Sequence, residues 1–476
     1  MSENKILELE KRLREKRISK KDYTEISGKK PQNEIKSSEN VTNVTPIKKE
    51  NLTNSTLKKK GVFRFDNLID EISDTIYNHT TASYLQIHMK VLQNLAFAFS
   101  YGGIHKFVNL GLYVYDFSPT GTAKSEVIKK SNRLILLPII KQVEKLHQEA
   151  SERAKEEKKD TPLFRAVNPI TTSPEALFEA FEHIPVQMIE TGELGRVLKA
   201  NPDIITYIID LYGQRYIQVP SYKNKKEITK HIIENINFFF YGATTIQYLG
   251  PKAFYEHLNG GLINRGIIVF NPKLREFEEL PKSYELDQTD IRKYNAIVKD
   301  ILEFANISDF QLSNSFRDNP FYKAFHKDIY EKQKELTQIN NPFANLYVRL
   351  MQNFDIVLLT LSLLEWYEKG YYENKINDKT IEKAIEFFKI INDNNEELIE
   401  HLLNYKEEQN EELTHKVIAK AKEIISQKGY CTLRDIYKPL KISSNKALFL
   451  LENYNRENGE FIIETKGNST RITFIN

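Results

Sequence analysis

Apolar positions first organise at Leu85, Met89, Leu92, Leu95, Ala96 and Phe99, whose three- and four-residue spacing predicts a helix with one buried face. The period then shortens. Asn109 to Phe117 (NLGLYVYDF) reads as a strand, and the stretch Glu126 to Leu146 that follows it returns to helical spacing. Further β-like runs are Phe164 to Ile170, Val186 to Glu190, Asn235 to Thr244 and Leu262 to Phe270. Helical patterns with start signals lie between them: Ser173-Pro174-Glu175 sets a cap, a proline in the first turn and an acid, and Asn201-Pro202-Asp203 repeats the device. Strands alternating with helices predict a mainly parallel sheet covered on both faces. Beyond Pro272 the strand signal fades, and Tyr284 to about Glu412 reads as a helical collar. The end of the chain has its own order: a helix from Thr414 to Gln427, a second near Leu433 to Leu440, a third from the Ser443-Ser444 cap to Asn455, then β runs at Glu460 to Thr465 and Thr470 to Ile475. Three helices and a hairpin are the order of a winged helix-turn-helix.

This pattern divides the chain into a basic arm (1–60) expected to be disordered, with one short helix near Ile6 to Arg17, an α/β core with leading helices (61–275), a helical domain (276–412) and a C-terminal unit (413–476). Charge sharpens the division. Residues 1–60 hold 16 Lys and Arg against 9 Asp and Glu, residues 413–476 hold 11 against 6, and the remainder holds 41 against 50. A polyanion would meet the two ends before the acidic middle. With one cysteine, Cys431, there is no internal disulfide framework, and no CxxC or HExxH spacing marks a zinc site. No uninterrupted apolar run of membrane-spanning length occurs, and the charged N-terminus lacks a signal-peptide core, so the expectation is a cytoplasmic protein with no membrane partner.

The chemistry concentrates in SPTGTAKS, residues 118–125, between a predicted strand and a predicted helix. A phosphate-binding loop needs consecutive backbone N–H groups at a helix N-terminus, a lysine for the terminal phosphates and a hydroxyl for magnesium. Gly121, Thr122 and Ala123 would furnish the amides, Lys124 the cation and Ser125 the hydroxyl, with ATP and Mg2+ as the implied ligands. Ser118 and Ala123 stand where the full motif has glycine. An ATPase also needs an acid near the phosphates. VQMIETGELG offers Glu190 at the end of a strand, taken as the principal acid and magnesium partner, and Glu193 three residues later. At the next strand end Thr244, Thr245 and Gln247 are candidate sensors of the γ-phosphate, with a helix N-cap as the competing role of Thr245. Arg265, after a Gly-Gly pair, is placed to be an arginine finger for a neighbouring subunit. Lys446, Arg456, Lys466 and Arg471 supply cations for DNA on the third helix and the hairpin.

Together SPTGTAKS, TTSPEAL, MIETGELG, DLYGQ, YGATTIQ and GGLINRGIIVF resemble, in order and approximate spacing over roughly residues 75–400, a family of P-loop ATPase domains of unknown function that accompany primases in plasmid, phage and genomic-island replication proteins. The Ala-Lys-Ser ending is also similar to the loop of minichromosome-maintenance helicases. The family usually has an Asp before the Glu of the second motif, where this chain has Ile189, and an Asp near Thr171. The resemblance implies a RecA-like or AAA-like motor, commonly a homo-oligomeric ring, used as a replicative helicase, with priming supplied by a separate primase. The residues alone imply a nucleotide-binding α/β domain with a basic winged helix. With the resemblance added, the leading expectation is an ATP-dependent helicase or replication-initiation motor of a mobile element, and the alternative is a nucleotide-switched DNA-binding regulator with weak hydrolysis.

Overall fold

A computed structural model describes residues 62–158, 161–200, 202–219, 231–276, 279–307, 310–466 and 469–475. The predicted N-terminal arm and its short helix lie outside the described residues. Two compact units emerge, 1–395 and 396–476.

The first unit opens with α1 (Leu68–Tyr77) and α2 (Tyr84–Gly102). Ser83 starts α2 with a reciprocal capping box, its side chain accepting from the Gln86 N–H while Gln86 returns to the Ser83 N–H. Every residue of α2 from Gln86 to Ser100 is buried. The reason is its position: α2 packs on β1 (Tyr113–Asp116) and neighbouring strands of the sheet, and also against α1 and helices later in the chain. The loop 117–123 follows β1 and leads into α3 (Lys124–Ser131), a π-helical stretch Asn132–Leu136 and α4 (Leu137–Glu157). Next come β2 (Val167–Pro169), α5 (Pro174–His183), β3 (Val186–Thr191), α6 (Leu194–Ala200) and α7 (Pro202–Leu211). As the cap signal predicts, the Ser173 side chain accepts from the Ala176 N–H and Pro174 opens α5. Asn201 lies outside the described residues.

An antiparallel pair, β4 (Tyr216–Val219) and β5 (His231–Glu234), precedes β6 (Asn237–Ala243). The hydrophobic pattern does not forecast this pair, since neither YIQV nor HIIE alternates between apolar and polar residues. After β6 the chain forms α8 (Ile246–Leu249), α9 (Pro251–Asn259) and β7 (Ile267–Val269). The main sheet has the order β2-β3-β6-β1-β7 and is parallel throughout. All seven residues of β6 are buried, as a strand covered on both faces requires. β1 is shorter than the predicted Asn109 to Phe117 because side chains hold its lead-in: Asn237 Oδ1 accepts from the Leu110 N–H (2.6 Å) and Asn109 Oδ1 from the Gly111 N–H (2.7 Å).

The helical region comprises α10 (Gln288–Ala305), α11 (Pro320–Gln338), α12 (Leu350–Lys369) and the 51-residue α13 (Asp378–Lys428). The expected separate domain 276–412 does not stand apart: up to residue 395 it belongs to the same compact unit as the sheet. Asn394 shows why, bonding the Phe270 backbone N–H (2.8 Å) and carbonyl at the end of β7. Among the described residues one stretch, Pro342–Lys369, is long and apolar enough to cross a membrane, and 67% of its apolar window is buried. Trp366 sits there fully buried against Phe310 and Tyr372.

The second unit contains the end of α13, β8 (Cys431–Thr432), α14 (Leu433–Tyr437), α15 (Ser444–Asn458) and the hairpin β9 (Phe461–Lys466) to β10 (Ser469–Phe474), with sheet order β8-β10-β9. The helix predicted from Thr414 is the continuation of α13, so no chain break falls at 412. Its core packs Val417, Ala421, Cys431, Ile436, Leu451 and Ile472.

Candidate functional site

The C-terminal ends of β1, β3 and β6 come together at one edge of the sheet, where open α/β sheets bind ligands. The loop after β1 is organised from below by Asp116, which is fully buried. Its Oδ1 accepts from the Ser118 N–H (3.0 Å) and hydroxyl, and its Oδ2 from Gln86 Nε2 (2.9 Å) and the Tyr241 hydroxyl (3.2 Å). Burial pushes the Asp116 carboxyl upward, opposed by the Ser118 and Gln86 donors and by the nearby Lys124 charge. Ser118, at a motif glycine position, thus anchors the loop to the sheet.

Above it the backbone turns through left-handed conformations at Gly121 (φ 92°) and Ala123 (φ 55°). No side chain caps α3, so the first-turn N–H groups of that helix have no capping acceptor. The Lys124 amine donates to the carbonyls of Ser118 (2.7 Å) and Pro119 (2.6 Å), and burial lowers its pKa against the opposing pull of Asp116. Gly192 approaches from β3 so closely that a Cβ there would lie 2.8 Å from Ser125 Oγ. A pocket of about 590 Å³ follows the loop from Thr120 to Glu126 and is closed by Gly192, Glu193, Arg196, Thr244, Thr245 and Tyr248.

The sequence-predicted residues divide on this frame. Gly121, Ala123, Lys124, Ser125, Glu193 and Thr245 line the pocket. Thr122 is buried in the loop, its hydroxyl donating to the Pro119 carbonyl (2.8 Å). Thr245 also caps α8, accepting from the Tyr248 N–H (3.2 Å), so the cap role is real at this position. Gln247 belongs to α8, and its side chain lies outside the described residues.

Glu190 is not among the residues that line the pocket. Its Oε1 forms an ion pair with Lys90 of α2, whose side chain is fully buried, and its Oε2 accepts from Asn132 Nδ2 (2.6 Å). Both Glu190 oxygens are thus engaged, by a buried ammonium and an amide, whereas Glu193, just after β3, lines the pocket. Burial lowers the Lys90 pKa, and the Glu190 charge opposes the shift. Lys90 also donates to Gln93 Oε1 (3.0 Å), while Gln93 Nε2 bonds the Leu112 and Phe240 carbonyls (2.9 Å each). The signal for this arrangement was present in the sequence: Gln86, Lys90, Gln93 and Asn94 form a polar stripe along an otherwise apolar helix.

Arg265 precedes β7, at the opposite end of the strands from the loop. Its Nη1 donates to the Gly261 carbonyl, and its Nε is buried without a partner. It takes no part in the pocket of its own chain. In the second unit Arg456 is exposed on α15, Lys446 lies over the Phe449 ring (5.7 Å), and Arg471 lies over the Tyr430 ring (4.2 Å). The Lys466 side chain falls outside the described residues. Among the described residues no group of three His, Cys, Asp or Glu side chains is arranged to hold a metal ion. No protein-family model matches the chain, and no curated protein matches it.

Proposed function

We propose that this chain binds and hydrolyses ATP with Mg2+ at residues 118–125 and couples the cycle to DNA, as a helicase or replication-initiation motor of RecA-like or AAA-like architecture. One observation carries the reading: Gly121, Lys124 and Ser125 share a pocket with Glu193 from the end of β3 and with Thr244 and Thr245 from the end of β6. The donor set suits the ligands. Uncapped helix amides, a left-handed turn and a lysine suit a polyphosphate, and Lys124 can exchange its loop carbonyls for phosphate oxygens. Magnesium commonly takes one or two protein oxygens and completes its shell with phosphate and water, so the Ser125 hydroxyl is a sufficient anchor. Glu193 would hold the attacking water, and Thr244 or Thr245 would bond the terminal phosphate.

The second unit reads as a winged helix, with α15 and the β9–β10 hairpin as the DNA-facing elements and Lys446, Arg456 and Arg471 as phosphate contacts. A nucleotide-switched DNA-binding regulator is the second reading, favoured by the exposure of Glu193, whose side chain is 68% accessible and gives no dry setting for water activation.

Lys124→Ala tests the proposal. Nucleotide binding by titration calorimetry and turnover with and without DNA should both be lost, with the unfolding transition unchanged. Undiminished turnover in an active preparation would remove the 118–125 loop from the function. Turnover that DNA does not stimulate would favour the switch.

A further inference from the structure

Arg196 is a cation of the pocket wall that no loop motif contains. It lies on α6 one turn after Glu193, and its Nη1 is 3.2 Å from Glu193 Oε2. Both side chains are largely exposed, 75% and 68%, so the pair is held weakly and opens readily. Lys124 enters the pocket from the loop, and Arg196 from the β3 side. Among the described lining residues these two are the only lysine or arginine side chains, one from the loop and one from α6.

A polyphosphate laid along the loop amides would place its inner phosphates against Gly121 to Lys124. The β3 and β6 wall, with Gly192 beside Ser125 and with Glu193, Thr244 and Thr245, meets the phosphate farthest along. A guanidinium presents a planar fork that matches phosphate oxygens in pairs, and a terminal phosphate carries more negative charge than the single exposed carboxylate it would replace. We infer that Arg196 is an in-chain ligand of the terminal phosphate, and that this phosphate takes Arg196 from Glu193, leaving the carboxylate free to hold water only when a triphosphate is bound. The inference rests on the nucleotide reading of the pocket and deepens it: the Glu193–Arg196 pair makes the site sense the third phosphate.

The experiment measures binding of ADP and of a non-hydrolysable β,γ-imido ATP analogue, with Mg2+, to the full chain and to Arg196→Ala, Arg196→Lys, Glu193→Gln and Lys124→Ala variants. Arg196→Ala should weaken the triphosphate by about tenfold while ADP changes less than about twofold. Arg196→Lys should recover part of the loss, and Glu193→Gln, which removes the competing carboxylate, should tighten the triphosphate alone. If Lys124→Ala abolishes both ligands while Arg196→Ala leaves both intact or weakens both equally, the Arg196 assignment is wrong and the nucleotide site stands. If Lys124→Ala binds both ligands as the parent does, the nucleotide site and the Arg196 assignment fall together.

Discussion

The buried Lys90–Glu190 pair makes the sharpest stability prediction, because its two ends fail in opposite ways. Lys90→Met leaves a carboxylate whose remaining donor is Asn132. Removing one partner of a buried ion pair costs roughly 3–5 kcal/mol. Glu190→Gln instead strands an ammonium whose side chain has no exposure. A lysine with a solution pKa of about 10.4 costs roughly 4.6 kcal/mol to neutralise at pH 7. The pH sign for the stranded amine follows by linkage. In Glu190→Gln the amine's folded pKa is depressed, so the variant gains stability relative to the parent as pH rises. The double variant Lys90→Met/Glu190→Gln, with neither charge, should lie closer to the parent than either single, with a coupling of at least about 2 kcal/mol.

Trp366 supplies the assay. It is the single tryptophan of the chain, fully buried and in the first unit, so its fluorescence through a urea titration reports the unit that contains the pair. Titrations at pH 6, 7 and 8 give the slopes. Single substitutions that each cost under about 1 kcal/mol at pH 7, with parallel pH profiles, would refute the buried pair and return Glu190 to the list of free acids. Turnover adds a separable readout, because Glu193→Gln should impair hydrolysis without moving the Trp366 transition.

Ala123→Gly should leave the Trp366 transition unchanged or raise it by up to about 1 kcal/mol, since glycine relieves the left-handed crowding at φ 55° while adding freedom to the unfolded chain; a loss above about 1 kcal/mol would contradict the loop conformation. Cys431, whose thiol burial pushes up to about 11, should react with iodoacetamide at pH 8 roughly two orders of magnitude more slowly than a free thiol, and the rate should rise only as the second unit opens. A native rate matching that of a model thiol would show that the site is open. Lys446→Ala and Arg456→Ala should each lower the slope of duplex affinity against salt by about 0.9, and unchanged slopes would make the second unit a protein-binding module.

Strand, loop and helix around residues 109–146 were legible in the sequence because each element there is specified locally: an apolar run, a Pro-Thr-Gly turn, a Lys-Ser pair at a helix start. The caps at Ser173 and Ser443 are local as well, since each satisfies an N–H three residues away. The parallel sheet followed from strands alternating with helices, but the β4–β5 hairpin did not, because two four-residue strands carry too little pattern to separate from their surroundings. The extent of α13 was also hidden, since helical spacing before and after residue 412 does not say whether the chain bends between. The choice between two glutamates three residues apart belonged wholly to the tertiary structure. Glu190 lies within β3 and Glu193 in the turn after it, and only the packing of α2, which brings Lys90 against Glu190, decides which acid is paired and which lines the pocket. A buried lysine demands a counter-charge more strongly than an open pocket demands an acid. Glu190 was therefore drawn beneath the loop, and Glu193, with Arg196 one turn on, was left at the mouth.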